Sequence, residues 1–240
     1  MSQQLRQALA DAYQIIAAWG MDDSTYAHIS VRVDADHFLI MPFGLLFEEV
    51  DPDCLLLVNR DGRVIEGKEQ YYNPTGYTIH GSIYQARTDI KAIYHLHTPA
   101  SIAVASSPKG LQPLSQWALH FYEKVAYGEY DSLVLDGQSQ GSTLACELGD
   151  KKVILLKNHG FITCGKTLHE GLFYVHHLEQ ACQTQAFSQE PKGGWDLPSH
   201  EVCVRTCNDL LNFEKDLGRR DWDAYVRKLR KQSPGASEPY

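Results

Sequence analysis

The chain has no Cys-x-x-Cys pair, although it has six cysteines, at 54, 146, 164, 182, 203 and 207. Single, scattered cysteines read as reduced, buried thiols rather than as a disulfide framework or a sulfur-ligated metal site. Cys203 and Cys207 share a helix face at i, i+4 among core-like neighbours, so they read as packing residues. No apolar run approaches the roughly 20 residues needed to span a bilayer, and no membrane segment is expected. Met1 to Arg6 contains no basic segment leading into an apolar core, so no signal peptide is expected and the location reads as cytoplasmic. Basic charge is also short. Lys and Arg number 22 against 30 Asp and Glu, and a net charge of −8 argues against a nucleic-acid partner. Neither Gly-x-Gly-x-x-Gly nor a P-loop occurs, which leaves nucleotide cofactors without support. A Gly-x-Ser-x-Gly elbow is missing as well, and there is no internal repeat.

What is present is an ordinary globular composition, 43% hydrophobic and 22% charged over 240 residues, enough for one large domain with a full core. Leu5, Leu9, Ala12, Ile16 and Trp19 recur at helical spacing, which predicts a helix over 4–19 ended by Gly20. Short strands follow at 29–33, 37–41 and 55–58, with a hairpin turn at 59–63 leading into Val64-Ile65. A helix is expected from about Tyr77 to Arg87 and another over 99–107. The stretch 111–130 is mixed and aromatic, with Trp117, Phe121, Tyr122, Tyr127 and Tyr130. Further on, Ser132 to Leu135 reads as a strand, Gly141 to Leu148 as a helix, and 153–156 and 161–163 as strands. Thr167-Leu168-His169-Glu170 is a capping box that opens a long helix to about 189. Pro191-Lys192-Gly193-Gly194 is the strongest linker signal. It divides a domain of 1–190 from a charged helical extension of 191–240. Strands and helices mix without a strict βαβ rhythm, so the residues alone give an α/β or α+β class.

The chemistry gathers on histidine. In Ile93-Tyr94-His95-Leu96-His97-Thr98-Pro99, a buried strand over 92–96 puts His95 and His97 on one face, and Thr98-Pro99 opens a helix with an N-cap and a first-turn proline. His159 follows another apolar strand in Lys157-Asn158-His159-Gly160, beside a glycine that permits close approach. Brought together, these three would form a site with an open position, the usual way to hold a catalytic metal. Taken singly, they read equally well as core histidines bonded to backbone. His176 and His177 lie about 100° apart on a helix and do not easily share an ion. His80 stands where it could support a ligand from behind. His120 and His169 have no evident partner, and His28 reads either as a site residue or as part of a turn. Glu48-Glu49 could supply a carboxylate or be a solvated acid pair.

Four ordered segments carry a family resemblance: His28-Ile29-Ser30-Val31-Arg32, the run from Ile79 to Asp89, Tyr94 to Ala100, and Leu155 to Phe161, with Leu178-Glu179-Gln180-Ala181-Cys182 behind them. Over roughly residues 5–190 the chain resembles the class II aldolase/adducin family. The resemblance implies an α/β/α sandwich around a mixed, mainly antiparallel sheet. It also implies a divalent metal held by His95, His97 and His159, usually zinc, with manganese or iron as alternatives. Small-molecule substrates and homotetramers with sites at subunit interfaces are implied as well. The departures are informative. Gly76 stands where the sugar-phosphate aldolases carry an acidic residue four positions before His80. Ala27-His28 replaces a Gly-Asn pair, Pro74-Thr75 replaces a Ser-Ser pair, and Trp117 is the rough equivalent of the catalytic tyrosine. Instead, Pro74-Thr75-Gly76-Tyr77-Thr78-Ile79-His80 and His97-Thr98-Pro99-Ala100 resemble the adducin-like branch.

The expected function is a metal-dependent lyase or decarboxylase for a small oxo-acid or hydroxy-carbonyl compound, working through a metal-stabilised, enediolate-like anion. His28, Glu48 or Tyr122 would then replace the lost carboxylate in proton transfer. Two alternatives stand beside it: a non-heme iron oxygenase using the same three histidines, with the aromatic stretch 117–130 lining its pocket, and a non-catalytic assembly module like that of adducin.

Overall fold

The structure, a computed structural model, describes residues 3–68 and 71–232; the last residues of the expected extension, 233–240, lie outside them. Eight strands form one sheet: β1 (His28–Arg32), β2 (His37–Ile40), β3 (Leu56–Asn59), β4 (Val64–Glu66), β5 (Ala92–Leu96), β6 (Val125–Gly128), β7 (Val153–Leu156) and β8 (Gly160–Gly165). Their order across the sheet is β4-β3-β2-β1-β5-β8-β7-β6. Every neighbouring pair is antiparallel except β6 and β7, which run parallel. The α-helices among the described residues are α1 (Gln3–Ala18), α2 (Pro74–Ala86), α3 (Pro99–Ala105), α4 (Gln116–Leu119), α5 (Ser142–Leu148), α6 (Leu168–Phe187), α7 (His200–Leu211) and α8 (Arg219–Gln232). This is the expected α/β sandwich around a mixed, mainly antiparallel sheet.

Alternation along the strands feeds two cores. Ala92, Tyr94 and Leu96 of β5 face one way, with Ile29 and Val31 of β1 and with Leu9, Tyr13, Ile16, Leu172, Val175 and Leu178 of the covering helices. Ile93 of β5 faces the other way, with Ile154 and Ile162 from the neighbouring strands and with Ile79, Ile83, Leu144 and Leu148 of α2 and α5. The Tyr13 hydroxyl pins α1 to the sheet. It donates to the carbonyl of Ile29 and accepts from the amides of Ile29, at 2.9 Å, and Met41, at 3.3 Å.

The expected helices and strands form close to their predicted bounds, with two differences. Ser132 to Leu135 is not a strand, and Leu133 and Leu135 lie exposed. The edge strand is instead Val125–Gly128, whose backbone finds partners along β7. Helix α2 also starts earlier than expected, at Pro74, because the Asn73 side chain accepts the Thr75 amide as an N-cap and proline suits the first helical position. The last two helices lie against the main body. Trp222 of α8 is buried in the first core, Tyr225 meets Trp19 edge to face at 4.8 Å, and Arg230 grips both oxygens of Asp11 at 2.7 Å.

Candidate metal centre

His95 is the penultimate residue of β5, on the α2 side of the sheet, and His97 follows one residue beyond the strand. The Thr98 side chain then caps α3, and its hydroxyl donates to the buried carboxylate of Glu179 at 2.5 Å, which anchors the junction that carries His97. His159 sits in the turn between β7 and β8, after Asn158 in the left-handed region at φ 57°. Gly160 is required there. A Cβ at that position would stand 2.3 Å from the Leu96 carbonyl oxygen and 2.9 Å from the His97 ring, so any side chain would push His159 away from the other two histidines.

The three imidazoles converge through Nε2. His95 Nε2 lies 2.9 Å from His97 Nε2 and 3.2 Å from His159 Nε2. Among the described residues, this is the one group of three or more potential ligands whose donor atoms meet. Two rings have the tautomer a metal ligand needs. His95 donates Nδ1–H to the Phe161 carbonyl at 2.9 Å, and His97 donates Nδ1–H to Asp23 Oδ2 at 2.9 Å. Their Nε2 lone pairs therefore point at one another, a repulsive arrangement that a cation resolves. An ion about 2.0–2.1 Å from each imidazole nitrogen holds tetrahedrally placed nitrogens about 3.3–3.4 Å apart, so the observed 2.9 and 3.2 Å need to open only slightly to admit one. The residues present thus fit a divalent metal. Electrostatics agree. Burial, followed by the charge of His97, holds the His95 imidazole well below its usual range, and burial pushes His159 down to about 4. Both imidazoles are neutral at neutral pH.

Asp23 is not among the residues the sequence reading singled out. No local signal marks it, because its partner His97 lies 74 residues along the chain. The β1–β5 pairing brings the two together. In that antiparallel pair, the segment entering β1 lies at the same end as the segment leaving β5. The same register sets His28 directly opposite His95, with ring centroids 4.9 Å apart. His28 is therefore the first residue of a strand, buried beside the triad, and not part of a turn. Glu48 lies exposed in the 3-10 turn Phe47–Glu49, and Tyr122 shares a hydrogen bond of 3.0 Å with His200 on α7. Neither contacts His95, His97 or His159 among the described residues. A cavity of about 180 Å³ opens beside His159, lined by Tyr130, Ser132, Thr143, Glu147 and Lys157 among others.

The sequence profile of the Class II Aldolase and Adducin N-terminal domain matches residues 7–186. The chain belongs to the class II aldolase/adducin family. An aldolase II superfamily protein from Pseudomonas syringae superposes with a TM-score of 0.87 at 34% identity, over 97% of this chain and 96% of its own. An L-fuculose 1-phosphate aldolase from Glaciozyma antarctica gives 0.83 at 29% identity, over 99% and 92%. Rat α-adducin is 39% identical over 197 residues, which cover 80% of this chain but only 26% of the adducin.

Two of the positions singled out in the sequence, Gly76 and His28, meet in space. A Cβ built on Gly76 would meet the His28 ring at 3.2–3.3 Å. The imidazole of His28 therefore occupies the space a side chain at position 76 would enter. Burial first, and then the charge of His80, holds His28 well below its usual pKa range.

Proposed function

We propose that the chain is a metal-dependent carbon–carbon lyase, an aldolase or decarboxylase, for a small oxo-acid or hydroxy-carbonyl substrate. The convergence of three Nε2 atoms at 2.9–3.2 Å, with His95 and His97 fixed from behind, is the observation that carries this reading. His95, His97 and His159 hold the ion, zinc by their all-nitrogen donor set, with manganese or iron as alternatives. When bound, the ion supplies Lewis-acid stabilisation of negative charge on adjacent substrate oxygens. Asp23 and the Phe161 carbonyl orient two of the ligands. His28 takes the place of the missing carboxylate and accepts the substrate hydroxyl proton as the neighbouring carbon–carbon bond breaks. Within one chain no role at this centre falls to Glu48 or Tyr122. We take residues 1–190 as the family domain and 191–240 as its helical extension, and the assembly as a cytoplasmic homotetramer.

The test is a screen of 2-oxo acids and aldol products on zinc-loaded protein, repeated with His28→Gln. The proposal expects turnover with one compound class and a loss of kcat of about 100-fold or more in the variant. Unchanged kcat would remove His28 from the proton transfer. A second reading rests on Gly76 and the rat α-adducin match: a non-catalytic assembly module. Stoichiometric zinc with no turnover of any compound supports that module. Stoichiometric iron redirects the reading to oxygen chemistry at the same three histidines.

A further inference from the structure

A buried row of polar side chains runs from His28 along the sheet face, away from the metal centre. His28 Nδ1 lies 2.9 Å from His80 Nε2, His80 Nδ1 lies 2.5 Å from Ser30 Oγ, and Ser30 Oγ lies 2.9 Å from the Tyr84 hydroxyl. The row ends where Tyr84 donates to the Lys91 carbonyl at 3.4 Å. His28, Ser30, His80 and Tyr84 are all buried. The Tyr84 ring is held independently of this row, under the Arg32 guanidinium at 4.5 Å and beside Phe38 at 5.5 Å.

Such a row has only two polarities, because each neutral imidazole and each hydroxyl has a single proton to give. Its end decides between them. A backbone carbonyl can only accept, so a proton given to Lys91 O commits the Tyr84 hydroxyl. Ser30 then donates to Tyr84, His80 Nδ1–H to Ser30, and His28 Nδ1–H to His80 Nε2. All four links are made. The opposite polarity leaves the Lys91 link empty and makes three. In the favoured polarity His28 Nε2 carries a lone pair. This atom has no hydrogen-bond partner among the described residues, and a Cβ on Gly76 would lie 3.3 Å from it.

We propose that Tyr84, Ser30 and His80 are positioning residues that hold His28 with its proton on Nδ1, so that Nε2 meets the substrate as a proton acceptor and not as a donor. The tautomer follows from the row alone, whereas its effect on turnover rests on the lyase reading above. The logic is that of a group which orients a catalytic histidine from behind and fixes which nitrogen is free. It also suits the exchange at Gly76, since the carboxylate that His28 stands in for is an acceptor when ionised.

Nitrogen NMR on the full chain, labelled at histidine and loaded with zinc, reads the tautomer directly, and a His28→Gln sample identifies the His28 signals. The expected spectrum shows a protonated Nδ1 and an unprotonated Nε2 on His28. Tyr84→Phe keeps the ring under Arg32 but removes the hydroxyl. Ser30 then turns its proton to His80 Nδ1, the row reverses, and His28 carries its proton on Nε2. Ser30→Ala, a second and smaller change, cuts the row and should replace the single tautomer with a mixture. Zinc content stays at one per chain in both variants. With an active substrate, Tyr84→Phe should lower kcat about 10-fold or more at unchanged KM. A wild-type His28 already protonated on Nε2 would overturn the proposal, as would folded variants with an unaltered His28 spectrum. If no substrate turns over, the lyase reading fails, and the tautomer spectra still decide this one.

Discussion

Two histidine clusters of this chain, one around His95 and one around His177, differ in what their nitrogens do. In the first, the rings of His95, His97 and His159 stand 4.5–4.9 Å apart. In the second, His120 and His177 are 4.3 Å apart, and His176 and His177 are 5.3 Å apart. Ring proximity alone would rank the groups alike. In the first, Nδ1 of His95 and His97 is tied to groups outside the cluster, and the Nε2 atoms meet at 2.9 and 3.2 Å. In the second, His120 and His177 bond carbonyls of their own local chain, His177 stacks on Phe173 at 3.9 Å, and His176 packs on Trp19. These rings serve as packing surface between α4, α6 and α8. A metal centre is thus marked by convergent lone pairs and by the groups that aim them.

The contrast breaks most sharply on metal content. His95→Ala should lose the bound ion entirely, while His177→Ala should keep it in full and give up only packing and a local hydrogen bond, about 1–3 kcal/mol of stability by denaturant titration. A His177→Ala protein stripped of metal would mean that the second group also binds. Next in size comes Asp23→Asn, which keeps the shape but weakens the aim of His97. Metal affinity should fall about 10–100-fold in a competition titration with a chromophoric chelator, and an unchanged affinity would show that His97 needs no orienting partner.

The expected features that came out as read were those written locally. The strand–cap–proline run from Ala92 to Pro99 specifies an element, its end and the start of the next within eight residues. Gly160 beside His159 signals a close approach, and the Leu96 carbonyl is what lies there. What stayed hidden depends on strand register. Asp23 with His97, and the links His28–His80, His80–Ser30 and Ser30–Tyr84, each join residues 50 or more positions apart. The edge strand was misplaced for a related reason. Leu133-Val134-Leu135 carries more apolar character than Val125-Ala126-Tyr127-Gly128, but only the latter meets a free backbone edge, that of β7.

The smallest expected effect is on pH dependence. His28, His80, His95 and His159 are held neutral by burial, with His159 at about 4 and His80 at about 3. The unfolded chain takes up these protons near pH 6.5, so below that value it binds more protons than the folded chain. The stabilisation from these neutral imidazoles is complete above about pH 6.5 and is lost as pH falls toward 4 and 3. The Tm of metal-free protein should fall steadily from pH 7 to pH 4. A flat Tm would mean that the four rings titrate as exposed histidines do.

The central claim is that three Nε2 atoms converge on one divalent ion. The most direct test is elemental analysis of untagged protein together with His97→Ala. The account predicts one divalent ion per chain in the wild type and none in the variant. A wild type that stays empty when titrated with zinc, manganese and iron, or a His97→Ala protein that keeps its full complement, would contradict it.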